Sequence, residues 1–256
     1  MHKISIITPA YNSYKYIEST IQSVLNQTHK NWEMIIVDDC STDLTCKIVE
    51  KYCEKDVRIF LIRLNKNFGA AIARNVALMK STGRFIAYLD SDDLWHPQKL
   101  EKQISFMLKN SCGFSCVSYE VIDSKGNPKG KRVFMLDKLN YHGYLTNNLI
   151  QTVGVMIDRT LVPNHAVIMP NMRRRQDAAT WFQILKTGND CYGIKEVLAK
   201  YRRTSNSLSS NKLKAAKGTW NLYRKTEKLP LTYACYCFAR YAMLAISKRT
   251  YRRKRK

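Results

Sequence analysis

Phe85-Ile86-Ala87-Tyr88-Leu89-Asp90-Ser91-Asp92-Asp93 runs from a short apolar stretch into three carboxylates within four positions. An apolar run of this length reads as a buried strand, so the acids gather at its exposed end. Carboxylates at one strand end repel each other unless a cation sits between them. A hard divalent ion meets that need, and Mg²⁺ takes one or two carboxylates together with substrate phosphates. The competing reading is an acidic helix start, because Asp92 and Asp93 precede Pro97 and a helical pattern.

Upstream of this string, strand and helix patterns alternate. Ile4 to Thr8 and Met34 to Val37 are continuous apolar strands, and Arg58 to Arg63 is a third. Between them, Tyr14 to Asn26 carries Ile17, Ile21 and Val24 at helical spacing with Ser13 as its N-cap. A second helix carries Ile48, Val49 and Tyr52, and Ala70 to Lys80 is the third. Buried strands joined by helical crossovers imply an α/β fold, with a mostly parallel sheet covered by helices on both faces. After a helix to about residue 109 the rhythm changes. Phe114 to Ile122, Val153 to Ile157 and Val197 to Tyr201 read as strands, Ser124 to Pro128 as a turn, and Ala178 to Lys186 as a helix.

The chain of 256 residues is 45% hydrophobic, enough for a sizeable core and against disorder. Its net charge of +23 is extreme and uneven. No acid follows Glu227, and seven of the last nine residues are basic; such a tail attracts anionic lipid or nucleic acid. The eight cysteines lack metal-site spacing and read as reduced, packed thiols; no signal peptide is read before Lys3, and a cytoplasmic setting is expected.

Ligands of open α/β sheets bind at the carboxyl ends of the strands. Here those ends supply Thr8-Pro9-Ala10-Tyr11-Asn12, Asp38-Asp39 and Asp90-Ser91-Asp92-Asp93. Tyr11 can stack on a base and Asp39 can accept from a base N–H, while Asp38 or Asp90 can accept from ribose hydroxyls. The segment Asn65 to Asn75 contributes Asn67, Gly69 and Arg74, the last able to reach a phosphate or brace Asp90. Neither G-x-G-x-x-G after the first strand nor a Walker sequence is present. The pattern suits a nucleotide read by side chains, with its diphosphate held by metal.

The ordered motifs Ile-Thr-Pro-Ala-Tyr-Asn (7–12), Val-Asp-Asp-Cys-Ser-Thr-Asp (37–43), Asn-x-Gly-x-x-x-Ala-Arg-Asn (67–75) and Asp-Ser-Asp-Asp (90–93) resemble the family 2 glycosyltransferases of GT-A fold. The resemblance covers about residues 3–210. It implies an inverting enzyme that uses a nucleotide-sugar donor, commonly a UDP-sugar, with Mg²⁺ or Mn²⁺. By position, Pro9, Ala10, Tyr11 and Asp39 would hold the base, Asp90 would contact ribose or donor sugar, and Asp92 would bind the metal. Asn12, Asp38, Asn67, Gly69, Arg74 and Ser91 complete the expected donor site. The resemblance also implies a catalytic base at a helix start in the acceptor half. Asp177, after Arg173-Arg174-Arg175-Gln176, is the candidate, its competing role being an ordinary N-cap. Many members carry a histidine after a Tyr-Arg pair. The run Tyr201-Arg202-Arg203-Thr204-Ser205-Asn206-Ser207 has none, which leaves Arg202 or Arg203 to hold diphosphate.

The expected organisation is a catalytic domain over 1–210, with a nucleotide-sugar half (1–110) and an acceptor half (111–210), then a helical, basic segment over 211–256. Leu229 to Ile246 is apolar but contains Arg240, so a helix lying in the inner membrane interface is expected rather than a span. In that arrangement Tyr233, Tyr236, Phe238, Tyr241 and Leu244 face lipid, the enzyme is peripheral on an anionic surface, and the acceptor is a saccharide or lipid-linked saccharide of bacterial surface polysaccharide. The alternative is a helix packed on the domain. Two other functions compete, a nucleic-acid-binding protein and a metal-dependent nucleotidyltransferase. Against the first stand the acidic strand ends; against the second stands Pro9-Ala10-Tyr11-Asn12 where a basic Gly-rich loop is needed.

Overall fold

The computed structural model describes residues 2–172, 174–203 and 212–250. In chain order the elements are β1 (Ile4–Ala10), α1 (Ile17–Leu25), β2 (Trp32–Asp38), α2 (Thr45–Lys55), β3 (Ile59–Arg63), α3 (Ala70–Lys80) and β4 (Phe85–Tyr88). They continue with β5 (Leu94–Trp95), α4 (Lys99–Lys109), β6 (Phe114–Ile122), β7 (Pro128–Val133), β8 (Lys138–Leu139), α5 (Tyr141–Thr146) and β9 (Val155–Asp158). The last are α6 (Gln176–Lys186), β10 (Cys191–Arg202), α7 (Lys212–Asn221) and α8 (Leu231–Thr250).

All ten strands form one sheet along the path β3-β2-β1-β4-β9-β6-β10-β5, with β7 beside β6 and β8 beside β10. The first four strands pair in parallel. Every residue of β1 and β2 is buried, as a sheet sandwiched between helices requires. Their alternating side chains divide between two cores. Ile7, Ile35 and Val37 pack with α3 and α6, while Ile4, Ile6, Met34 and Ile36 pack with α1 and α4.

Strand β9 joins the two halves, running antiparallel to β4 on one side and to β6 on the other. Arg84 donates to both oxygens of Asp158 across the first junction, at 2.7 to 3.1 Å. Burial pushes the Asp158 carboxyl up, yet the bonds from Arg84 and Thr160 hold it below its ordinary value.

Ser13 does not cap α1 with its side chain. Its main-chain oxygen accepts from Tyr16 and Ile17, so a turn intervenes and the helix begins at Ile17. Strand β10 is longer than the apolar run Val197 to Tyr201, because register shifts between Ile194 and Ala199 let the strand extend through two irregularities.

The carboxy-terminal helices pack on α5 and α6. Leu222, Tyr223, Leu229, Ala234 and Cys237 are buried in the same cluster as α5 and α6. Glu227, its side chain 2% exposed, pairs with Lys186 of α6 at 2.6 Å and accepts from the Tyr141 hydroxyl at 2.7 Å. Of the aromatics expected to face lipid, Tyr233 and Phe238 pack against this core. Leu231, Tyr236 and Met243 lie on the outer side of α8, exposed by more than half. Among the described residues no helix is long and apolar enough to cross a membrane. The cysteines with described positions form no disulfide.

Candidate active site

The loops after β1, β2 and β4 meet the start of α3 at one edge of the sheet. Tyr11 follows Pro9 and Ala10 and is 51% exposed. Asn12 takes a left-handed backbone (φ 46°), and its side-chain oxygen accepts from the Thr42 N–H at 2.9 Å. The Asp38 carboxylate accepts from the Ser41 N–H at 2.9 Å, which shapes the second loop. Asp39 reaches forward instead: its two oxygens accept from the N–H groups of Phe68 and Gly69, each at 2.7 Å. Asn67 donates to the Asp39 carbonyl at 3.3 Å. Gly69 has φ 92°, and a Cβ there would meet nothing within 4 Å; the glycine is required by backbone conformation, not by crowding.

Arg74 is buried on α3 and pairs with Asp90. Burial disfavours its charge, but Asp90 and then Asp177 hold the guanidinium above its ordinary pKa. Asn75, one residue on, clamps Met169 through both its amide groups at 2.8 and 2.9 Å and ties the acceptor half to α3.

The acidic string divides by environment. Ser91 and Asp93 each offer a main-chain carbonyl to the Thr20 hydroxyl. Asp93 is buried, and one carboxyl oxygen accepts from the Arg202 N–H at 2.7 Å while the other has no partner. Burial, then the charges of Asp92 and Asp90, push it well above the usual carboxylate range. Asp92 is half-buried, and burial followed by repulsion from Asp90 pushes its carboxyl up to about 6. No ion pair reaches Asp92 among the described residues. A raised carboxyl beside a second acid fits a divalent ion, whose charge would offset both penalties. Among the described residues no three His, Cys, Asp or Glu side chains converge on a metal position, so such an ion would draw its remaining ligands from phosphate oxygens and water.

Arg202 acts as a strap. Its guanidinium donates to the carbonyls of Asp92 (2.6 Å), Asp123 (3.1 Å) and Ser124 (3.2 Å) and lies over the Tyr16 ring. Its Nε and Nη1 donors are thus engaged with main chain. The positions from Thr204 to Ser207 lie outside the described residues.

Asp177 sits in the first turn of α6, behind Arg175 in a left-handed conformation (φ 64°). One Asp177 oxygen accepts from the Ala178 N–H at 2.8 Å and the other from the Thr152 hydroxyl at 3.3 Å. Two groups hold the turn that carries Thr152. The Trp95 indole donates to the Val153 carbonyl at 2.8 Å and the Gln103 amide to the Gly154 carbonyl at 2.9 Å. Arg175 in turn donates to the Tyr241 hydroxyl of α8 at 3.1 Å. Neither Thr152 nor Tyr241 was legible as a site residue, since their partners lie 25 and 66 positions away.

A model of "Glycosyl transferase family 2" matches residues 5–169. The chain belongs to that family. It is a glycosyltransferase, and family membership removes both the nucleic-acid-binding and the nucleotidyltransferase readings. Among curated relatives it is 49% identical to TuaG of Bacillus subtilis, a glycosyltransferase provisionally assigned to teichuronic acid biosynthesis, over 96% of this chain and 97% of that one. It is 39% identical to WfgD of Escherichia coli, a UDP-Glc:α-D-GlcNAc-diphosphoundecaprenol β-1,3-glucosyltransferase, over 97% and 95%. The solved mannosyltransferase PcManGT from Pyrobaculum calidifontis, in complex with GDP-Man and Mn²⁺, superposes with a TM-score of 0.70 at 16% identity, covering 96% of this chain and 75% of that chain. That likeness establishes the GT-A-type fold.

Proposed function

We propose that this chain moves a sugar from a UDP-sugar to a saccharide or lipid-linked saccharide with inversion at the anomeric carbon, at the inner face of a bacterial membrane during surface-polysaccharide assembly. The observations that carry the reading are the Arg74–Asp90 ion pair at the strand-end loops and the Asp177 carboxylate held by Thr152 at the start of α6. WfgD's acceptor, a sugar on diphosphoundecaprenol, supports the lipid-linked acceptor, and TuaG's assignment to teichuronic acid biosynthesis supports the surface-polysaccharide setting.

Tyr11 stacks on the base, flanked by Pro9 and Ala10. Asp39 accepts from the base through lone pairs left beyond Phe68 and Gly69. Asn12, Asp38, Asn67, Gly69 and Ser91 shape the loops around it, and Asp90, oriented by Arg74, accepts from ribose or donor-sugar hydroxyls. Asp92 would hold Mg²⁺ or Mn²⁺, which would supply charge neutralisation for a departing nucleoside diphosphate. Asp177 takes the proton from the acceptor hydroxyl as that oxygen attacks from the opposite face. Thr152 fixes the direction of its carboxylate, and positioning must favour the acceptor over water. Arg202 contributes by holding the Asp92 loop.

Asp177→Asn is the test. UDP affinity by calorimetry is expected to persist while transfer falls about 10²-fold or more; retained transfer moves the base elsewhere.

A further inference from the structure

A second cleft, of about 180 Å³, opens on the acceptor side between the β6–β7 hairpin, the segment 146–149 and α8. Its charge is opposite to that of the strand-end site. Lys131 and Arg203 line it together with Asn147, Asn148, Tyr119 and Tyr241, and among the described residues no acid lines it. The register explains the gathering. Lys131 pairs with Val121 on one edge of β6, and Arg203 follows β10 on the other edge, its N–H donating to the Ile122 carbonyl. At 180 Å³ the cleft is smaller than the roughly 300–1,000 Å³ of sites that enclose a whole small ligand. It is therefore sized for one group of a larger molecule.

Two connections place it beside the chemistry. Segment 146–149 leads into Thr152, which holds Asp177. Tyr241, in the wall of the cleft, holds Arg175 two residues before that carboxylate. The outer side of α8 carries exposed Leu231, Tyr236 and Met243, an apolar surface on the helix that walls the cleft.

We propose that this cleft binds the phosphate of an acceptor whose sugar is joined through diphosphate to a lipid. The inference rests on the glycosyl-transfer reading for its role. Its chemistry follows from the cleft alone. Guanidinium, ammonium and amide donors match phosphate oxygens, and a tail leaving the cleft would lie along α8. An acceptor anion held here needs no metal, which leaves the Asp92 site to the donor.

The test is calorimetry of the full chain with decyl diphosphate in EDTA, so that the metal-dependent site is silent. Binding is expected in the wild type, with a loss of about tenfold or more in K131Q/R203Q. The same affinity is expected to persist in K55Q/K109Q, which removes equal charge from exposed helix ends away from the cleft. R203Q alone serves as the milder variant where thermal unfolding shows the pair to be damaged. Equal affinity across the wild type, R203Q and K131Q/R203Q overturns the proposal. So does a loss confined to phosphatidylglycerol vesicle binding, which would make the cleft a bilayer headgroup site. Absence of transfer from every nucleotide-sugar sinks the functional reading while leaving the binding result intact, so the two failures are distinguishable.

Discussion

Replacing Lys99 with methionine is expected to stabilise the fold, by an amount that depends on pH in a defined direction. Lys99 opens α4 and is fully buried. Its ammonium lies 3.8 Å from the centre of the Trp95 ring and has no hydrogen-bond partner. Burial lowers its pKa from the ordinary 10.5 to about 7. The unfolded chain therefore holds the extra proton between about pH 7 and 10.5, and wild-type stability rises with pH across that window. At about 1.4 kcal/mol per pH unit, the penalty below pH 7 reaches about 5 kcal/mol. Methionine has a similar length without the charge, so K99M should gain up to about 5 kcal/mol at pH 6 and almost nothing near pH 10.5. Urea unfolding of both proteins at pH 6, 8 and 10 measures it. An offset that does not change with pH, or a destabilised variant at pH 6, refutes the reasoning.

Three further outcomes are expected. Metal-dependent UDP affinity should fall about tenfold per pH unit below about 6 as protons compete for Asp92; calorimetry with Mn²⁺ would show a flat profile if another group held the ion. Arg74→Met strands Asp90 without its partner, and because Asp90 is 28% exposed the cost should sit at the low end of buried pairs, about 3 kcal/mol. Thermal unfolding reads this, and a loss under about 1 kcal/mol would mean that the pair is solvent-screened. Thr152→Val keeps the shape but removes the donor to Asp177, so kcat should fall about tenfold with acceptor KM unchanged and Thr152→Ser restoring it; equal losses in both variants would point to packing instead.

The nucleotide half was largely legible because its strands are continuous apolar runs ended by polar groups. The limits of α3 and β6 match the periodicity of their residues. The roles of the polar residues were less so. Asp38 and Asp39 sit side by side in sequence, yet one shapes its own loop and the other anchors the start of α3. Arg202 also straps carbonyls that lie 78 to 110 positions away, which no local pattern shows. The apolar Leu229 to Ile246 run reads first as a membrane surface and second as a packed helix; only the burial of Ala234 and Cys237 separates its inner from its outer side.

The continuous sheet has a mechanical consequence. With β9 hydrogen-bonded to β4 and β6 alike, the described strands before and after residue 110 belong to one continuous sheet. Such a seam favours loop motion at the strand ends over one half swinging across the other. The acceptor half is also not a portable module. A chimera joined near residue 110 would have to rebuild the β4–β9 seam and the Arg84–Asp158 bridge across it, and Asn75 would need its Met169. New acceptor specificity is reached more easily by exchanging the β6–β7 hairpin and the segment before Thr152, which leaves the sheet whole.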